Sequence, residues 1–300
     1  MATLTSTSYY CTLLICLNVI LLTVVCYLVL HDRRDRHSST VFRTVSQPVI
    51  RSTEESLYVM YGEGNFSDDN EQLLNYIRSM LSRQSPGGRH LSSRASRKVH
   101  FSQLGGSKFV DKLLKRRRNG FFVECGAYRG EELSDTLFFE RQRNWRGILI
   151  EANPDNHRAL LHKNRRALVL RACLSPSRRP SLVKFRLLMA GSGVSSLHKK
   201  IAPKNERVPE TYVQCFTLNS VMSAIGVQHV DFMVLDVEGA ELQILETIDW
   251  TTLSIDVLSI EYARHDQQGQ LGKIRHFFSK TGRYKEVGRL DHQDVIFMRV

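Results

Sequence analysis

From Phe109 to the C terminus, short continuous apolar runs alternate with amphipathic stretches, and this alternation restricts the chain to few architectures. Apolar runs without period-two polarity read as strands buried on both faces, and helices between them fit only if the strands are parallel. Strands are expected at 121–125, 147–151, 168–172, 230–236 and 257–261, with a closing pair at 284–288 and 295–299. Helices fit at 131–143, 154–164, 218–224, 240–247 and 272–281, and two further strands at 182–187 and 212–216 fall between the third and fourth units. The expected fold is α/β, a mostly parallel sheet of seven strands with helices on both faces, ending in an antiparallel hairpin. No internal repeat is visible.

The N-terminal part is of another kind. Tyr9 to Leu30 is a run of 22 residues without charge. As a helix it would extend about 33 Å, enough to cross a hydrocarbon core of roughly 30 Å. A cleavable signal peptide is the competing reading, but the run has no basic flank before it and ends in His31-Asp32-Arg33-Arg34 without small residues. Residues 1–30 are therefore expected to hold a single-pass membrane anchor, the helix over about 9–30. Its orientation is in conflict. Arg33, Arg34 and Arg36 would keep the C-terminal bulk cytosolic, whereas the sequon Asn65-Phe66-Ser67 would be glycosylated only in a lumen.

Residues 31–104 read as a basic stem rich in Ser and Arg, and residues 105–300 as the folded domain. One island in the stem, near 69–82, has Leu73, Leu74, Ile77, Met80 and Leu81 on a narrow stripe behind a capping Asp68 or Asp69, suited to docking on the domain. The net charge of +12 is uneven: 17 Lys and Arg stand against 9 Asp and Glu over 31–119, and 25 against 21 over 120–300. That distribution suits a segment beside a membrane better than a nucleic-acid cleft, so no nucleic-acid partner is expected. The Lys115–Arg118 run reads as the solvated end of a helix.

In a parallel sheet the ligand lies outside the carboxyl ends of the strands, near the switch in strand order. There the first strand runs into Glu124-Cys125-Gly126-Ala127-Tyr128-Arg129-Gly130, where Gly126 permits close approach of a ligand and Gly130 a tight lead-in to the next helix. It is neither a G-x-G-x-x-G turn nor a P-loop, so no pyrophosphate is expected. The second strand ends in Glu151, placed to accept ribose hydroxyls or, alternatively, to cap the helix beginning at Pro154. The fourth and fifth end in Asp236-Val237-Glu238 and Glu261. Acids repeated at the tips of buried strands are costly without hydrogen-bond donors or a cationic ligand, and a nucleoside carrying a sulfonium satisfies both needs.

These residues resemble the FkbM-type S-adenosylmethionine-dependent methyltransferases, and more closely the membrane-anchored animal branch of that family that includes the protein Star. The resemblance rests on Gly120 to Tyr128 (GFFVECGAY), Gly130 to Leu137 (GEELSDTL), Trp145 to Pro154 (WRGILIEANP), Leu174-Ser175-Pro176, Val230 to Leu242 (VDFMVLDVEGAEL) and Leu258 to Tyr262 (LSIEY). It implies a class I methyltransferase (Rossmann-like) fold over roughly 105–300, with strand order 3-2-1-4-5-7-6, and S-adenosyl-L-methionine as cofactor. Glu124, Gly126 and Gly130 would face its methionine end, Glu151 the ribose, and Ala172 with Cys173 the adenine edge. Asp236 and Glu238 would lie beside the transferred methyl. Glu238 is the first choice for a general base, Asp236 for positioning, and His265 a third candidate. Relatives often carry an acid where this chain has Arg129.

No Cys-x-x-Cys or His-x-x-x-His spacing is present, so no metal site is expected. Cys125 and Cys173 would lie about 9.6 Å apart across two strand spacings, too far to bridge, and the domain's cysteines are expected reduced and buried. Two function classes remain. One is O-methyl transfer to a small molecule, glycan or protein in the secretory pathway. The other, implied by the Star-like branch, is non-enzymatic regulation of endoplasmic reticulum to Golgi and endosomal trafficking of growth-factor (EGF receptor ligand) precursors as transmembrane cargo.

Overall fold

The computed structural model describes residues 67–85, 88–92, 97–187, 209–262 and 267–300. All belong to the unit Leu57–Val300; the unit Met1–Ser56, with the expected anchor at 9–30, lies outside the described residues, as do Asn65 and His265. Among the described residues no helix is long and apolar enough to cross a membrane.

In chain order the elements are α1 (Glu71–Met80), β1 (Leu81–Ser82), α2 (Gly106–Leu113), β2 (Phe121–Cys125), α3 (Leu137–Gln142), β3 (Arg146–Ile150), α4 (Pro154–His162), β4 (Leu168–Leu170) and β5 (Cys173–Leu174). They continue with β6 (Ser181–Arg186), β7 (Glu210–Phe216), α5 (Leu218–Ala224), β8 (His229–Leu235), α6 (Glu241–Thr247), β9 (Ser254–Glu261), α7 (Gln267–Thr281), β10 (Tyr284–Leu290) and β11 (Asp294–Arg299). The main sheet has eight strands in the order β1-β4-β3-β2-β8-β9-β11-β10. From β4 to β9 the neighbours are parallel, while β11 is antiparallel to both β9 and β10. This is the expected order, extended by β1, which pairs antiparallel with β4. The chain steps outward from β2 through β3 to β4 and then returns to the other side of β2 as β8. The sheet therefore opens a crevice where β2 and β8 diverge, at their carboxyl ends.

The strands are buried on both faces, as continuous apolar runs require. Val123 and Cys125 of β2 enter one core layer and Phe122 the other. Gly147 is needed opposite Phe122, whose ring occupies the space a side chain there would take.

Four expectations change. The helix read at 131–143 is confined to Leu137–Gln142, because the buried Glu124 carboxylate draws in the preceding segment: Ser134 Oγ donates to it at 2.9 Å, the Asp135 N–H at 3.0 Å, and the Thr136 hydroxyl also donates. The stem boundary at 104/105 also moves. Leu73, Leu74 and Ile77 of α1 are part of the core beside α5, Arg78 Nε donates to the Ala224 carbonyl at 2.9 Å, and Ser85 and Asn164 exchange hydrogen bonds. The folded unit thus includes chain that composition alone reads as unstructured. The Lys115–Arg118 run is not the end of a helix: α2 stops at Leu113, and Lys115 and Arg116 turn back with φ of 51° and 58°.

The cysteine expectation is corrected too. Cys173 and Cys215 form a disulfide, and Cys125 is free and buried. The two bonded residues are register partners of β5 and β7, which with β6 form a second sheet of three strands, so the main-sheet spacing does not apply to them.

Candidate functional site

Gly126 and Gly130 shape the turn that follows β2. Gly126 has φ 80°, and a side-chain carbon there would overlap the Asp236 carbonyl oxygen, so the close approach it permits is that of β8's own chain. The Gly126 and Ala127 N–H groups both donate to the Ile150 carbonyl, at 3.0 and 3.2 Å, and the Asp236 N–H donates to the Cys125 carbonyl at 3.2 Å. Three strand ends are thereby tied together at the crevice. Gly130 (φ 73°) lies against Leu160 of α4, where a side chain would overlap the leucine.

Glu151, just past β3, is buried. Its carboxylate accepts from the Tyr128 N–H at 2.7 Å and the Asn153 N–H at 2.8 Å. Burial nevertheless raises it to about 7, against these donors. Asn153 itself caps α4, accepting from the Asp155 N–H at 2.9 Å, so Glu151 is released from the capping role. Glu124 is buried as well and raised by burial, with Arg165 opposing; the guanidinium lies 3.9 Å away.

The turn after β8 is held by a residue that sequence reasoning passed over. Glu241, at the first turn of α6, accepts from the Val237 N–H at 3.1 Å and the Gly239 N–H at 3.0 Å. It is raised to about 7, chiefly by burial. Glu238 is left to face the pocket in a left-handed conformation (φ 61°) and is buried. The carboxylates of Asp236, Glu238 and Glu261 each offer an oxygen within 4.8 Å of the others, a grouping able to hold a cation. Spacing along the chain could not reveal it, since β8 and β9 are brought together only by the sheet.

Two more acids complete this end. Asp294, the register partner of Glu261, is raised to about 7 by burial and then by Asp236. Asp135 is raised well above the usual carboxylate range by burial, then by Glu124, Asp294 and Asp236. Neither stands in a motif; the signal that could have found Asp294 is an acid opening an otherwise apolar closing strand.

Apart from Gly130 and Glu241, the acids and turn residues described above line one pocket. Apolar residues share its lining, among them Ile150, Ala152, Ala172, Cys173, Phe185 and Ile244. Phe185 comes from β6 of the small sheet, within which the disulfide joins β5 to β7. Eight carboxylates line the pocket and, among the described residues, no Lys, Arg or His does. Arg129 is exposed and stacks on the Tyr128 ring at 5.1 Å rather than lining the pocket. Of the expected site residues, Glu124, Gly126, Glu151, Ala172, Cys173, Asp236 and Glu238 meet here; Gly130 stands behind the turn, and His265 lies outside the described residues.

The strand order and this crevice define a class I methyltransferase-like α/β protein. The family model of the methyltransferase FkbM domain matches residues 124–286, more than half of the chain, and the chain belongs to that family. Among solved structures it is similar to methyltransferase FkbM from Methylobacillus flagellatus KT (16% identity over 60% of this chain and 43% of that one, TM-score 0.38), so it spans less than half of that protein's length. It is also similar to the human methyltransferase 10 domain containing protein (11% identity, 76% of this chain and 96% of that one, TM-score 0.38). A third is the 1,6-didemethyltoxoflavin-N1-methyltransferase of Burkholderia thailandensis, solved with 1,6-didemethyltoxoflavin and S-adenosylhomocysteine (12% identity, 65% and 75%, TM-score 0.33). No curated protein matches the chain.

Proposed function

We propose that this protein is an S-adenosylmethionine-dependent O-methyltransferase, anchored by residues 9–30 in the endomembrane system, that acts on a hydroxyl of a small molecule, glycan or protein. The observation that carries the reading is the pocket at the switch in strand order, whose lining combines eight carboxylates with apolar side chains. The residues suit the cofactor: Glu151 for ribose hydroxyls, Ala152, Ala172 and Phe185 as walls for a flat base, and a carboxylate-rich lining for a sulfonium. Bound there, S-adenosylmethionine supplies an activated methyl group.

The chain's own residues align the acceptor and take its proton. Glu238, presented by its left-handed turn, is the base, and Asp236 positions the acceptor. Asp294 and Glu261 close the same end. The elevated carboxyl of Asp294 gives this cluster a group that exchanges a proton near neutrality.

The Cys173–Cys215 disulfide supports an oxidising compartment for the domain, and so a lumenal orientation in which the positive-inside signal yields. The test is thermal unfolding of the protein with and without S-adenosylmethionine, beside Glu151→Gln. Cofactor at about 100 times its dissociation constant stabilises by about 2.7 kcal/mol, roughly 5 to 10 °C here. A shift in the parent that is lost in the variant is expected. No shift at millimolar cofactor in a cooperatively unfolding sample would overturn the enzyme reading and leave the Star-like trafficking role.

A further inference from the structure

The amino-terminal edge of the main sheet, opposite the pocket, carries an uncompensated positive face. Three segments meet there: the turn 115–119 before β2, residues 143–146 before and at the start of β3, and Arg166 before β4. They are joined directly. Arg118 Nη1 donates to the Gln142 carbonyl at 3.3 Å, the Asn119 N–H to the Arg143 carbonyl at 3.0 Å, and Asn144 Nδ2 to Asn119 Oδ1 at 2.7 Å. The Arg146 N–H donates to the Gly120 carbonyl at 3.0 Å, and Arg166 Nη2 to Asn144 Oδ1 at 3.0 Å.

The acids of this region are already matched. Asp111 takes Arg143 through two bonds of 2.6 Å, buried Glu140 takes Arg165 at 2.9 Å and Arg89 at 3.2 Å, and Asp231 and Asp256 share Arg117, with Arg299 also 3.5 Å from Asp256. Lys115, Arg116, Arg118, Arg146 and Arg166 remain, all exposed, and among the described residues none of these five forms an ion pair. The turn that presents them is not a floppy tail. Lys115 and Arg116 are held in left-handed conformations, costly for side chains of this kind, by N–H donation from Lys115 to the Lys112 carbonyl (3.0 Å) and from Arg116 to the Asp111 carbonyl (2.8 Å).

We propose that this face binds a sulfated polysaccharide. Four of the five cations are arginine, whose planar fork takes two oxygens of a sulfate at once. Trp145, the face's one indole, is fully buried, so no aromatic platform is offered to nucleobases. The exposed large apolar residues, Val99, Leu133, Leu161, Tyr212 and Val300, belong to none of the three segments, so nothing here inserts into a bilayer. This inference rests on the lumenal orientation proposed above, where sulfated glycans, not nucleic acids, are the abundant polyanions.

The experiment uses the full chain in detergent and measures its binding to immobilised heparin at about 150 mM salt. Three proteins are compared: the parent, the triple variant Arg116→Ala, Arg118→Ala, Arg146→Ala, and a control of equal charge change, Lys273→Ala, Lys280→Ala, Lys285→Ala. The expected result is at least about a tenfold loss of affinity in the first variant and little change in the second, with desulfated heparin failing to bind the parent. Should the first variant misfold, heparin protection of Arg116 and Arg118 from phenylglyoxal in the parent decides the same question. Equal losses in both variants, binding of desulfated heparin, absence of protection, or tighter binding to phosphatidylserine vesicles or duplex RNA than to heparin would each overturn the proposal.

Discussion

The two ends of the parallel strands β2, β3, β8 and β9 carry opposite chemistry. At their carboxyl ends, acids are buried around a pocket; at their amino ends, acids are matched by cations and five further cations face water. The difference is one of solvation. Burial raises Glu151, Glu241 and Asp294 to about 7, so the charge of the pocket depends on pH and on what occupies it. The effect of the exposed guanidinium groups at the other edge depends on salt. One edge is suited to a ligand that hydrogen-bonds and is desolvated, the other to a polyanion that is only neutralised.

The sharpest break between the edges is expected at Arg165, which ties the pocket's rear wall together. Its side chain is fully buried and donates to Glu140 at 2.9 Å, to the Gly130 carbonyl at 2.9 Å and to Ser134 and Thr136 at 3.1 Å. Arg165→Ala removes the buried partner of Glu140, leaving it Arg89 and the Arg166 N–H, and is expected to cost about 3 kcal/mol in denaturant unfolding. The neighbouring exposed Arg166 should cost less than about 0.5 kcal/mol on the same substitution. Next in size is the disulfide: reduction of Cys173–Cys215, 42 residues apart, is expected to cost about 2–4 kcal/mol and to lower cofactor affinity through the Phe185 wall, as read by unfolding with and without dithiothreitol.

If Glu151 takes the ribose hydroxyls as proposed, Glu151→Gln is expected to cost about 2 kcal/mol in S-adenosylmethionine binding, near thirtyfold, by calorimetry. A further effect follows from pH. Glu151, Glu241 and Asp294 have folded values raised to about 7, above their unfolded ones, so their stabilising contribution is complete below about pH 4 and lost as pH rises through 7. The free protein should therefore melt lower at pH 8 than at pH 5.5. A ligand that needs Glu151 ionised should bind about tenfold more tightly at pH 8 than at pH 6, with proton release at the lower pH. Affinity independent of pH would show that Glu151 is already ionised or does not contact the ligand.

The strands were legible because each is a continuous apolar run, and most strand ends fall within a residue or two of their expected places. Helix α5, at Leu218–Ala224, coincides with its expected range since Thr217 caps it locally, accepting from the Ser220 N–H at 3.1 Å. Where the reading failed, distant partners had overridden local signals. The segment after Gly130 has the composition of a helix start but is held open by a carboxylate on β2. Ser85 and Ser92 stand in chain whose composition looks unstructured, yet each is pinned, by Asn164 and Glu131 respectively.

The sequence by itself determined the class of fold and the tips at which Glu124, Glu151, Asp236, Glu238 and Glu261 would stand, because alternation of apolar runs and helical stretches dictates a parallel sheet. Only the tertiary structure decided which carboxylates would be occupied with holding turns and which would face the pocket. It alone joined Asp135 and Asp294 to them, paired Cys173 with Cys215, and left the amino edge uncompensated. Those outcomes depend on pairings between residues far apart in the chain, and their energies depend on burial, which no local pattern encodes.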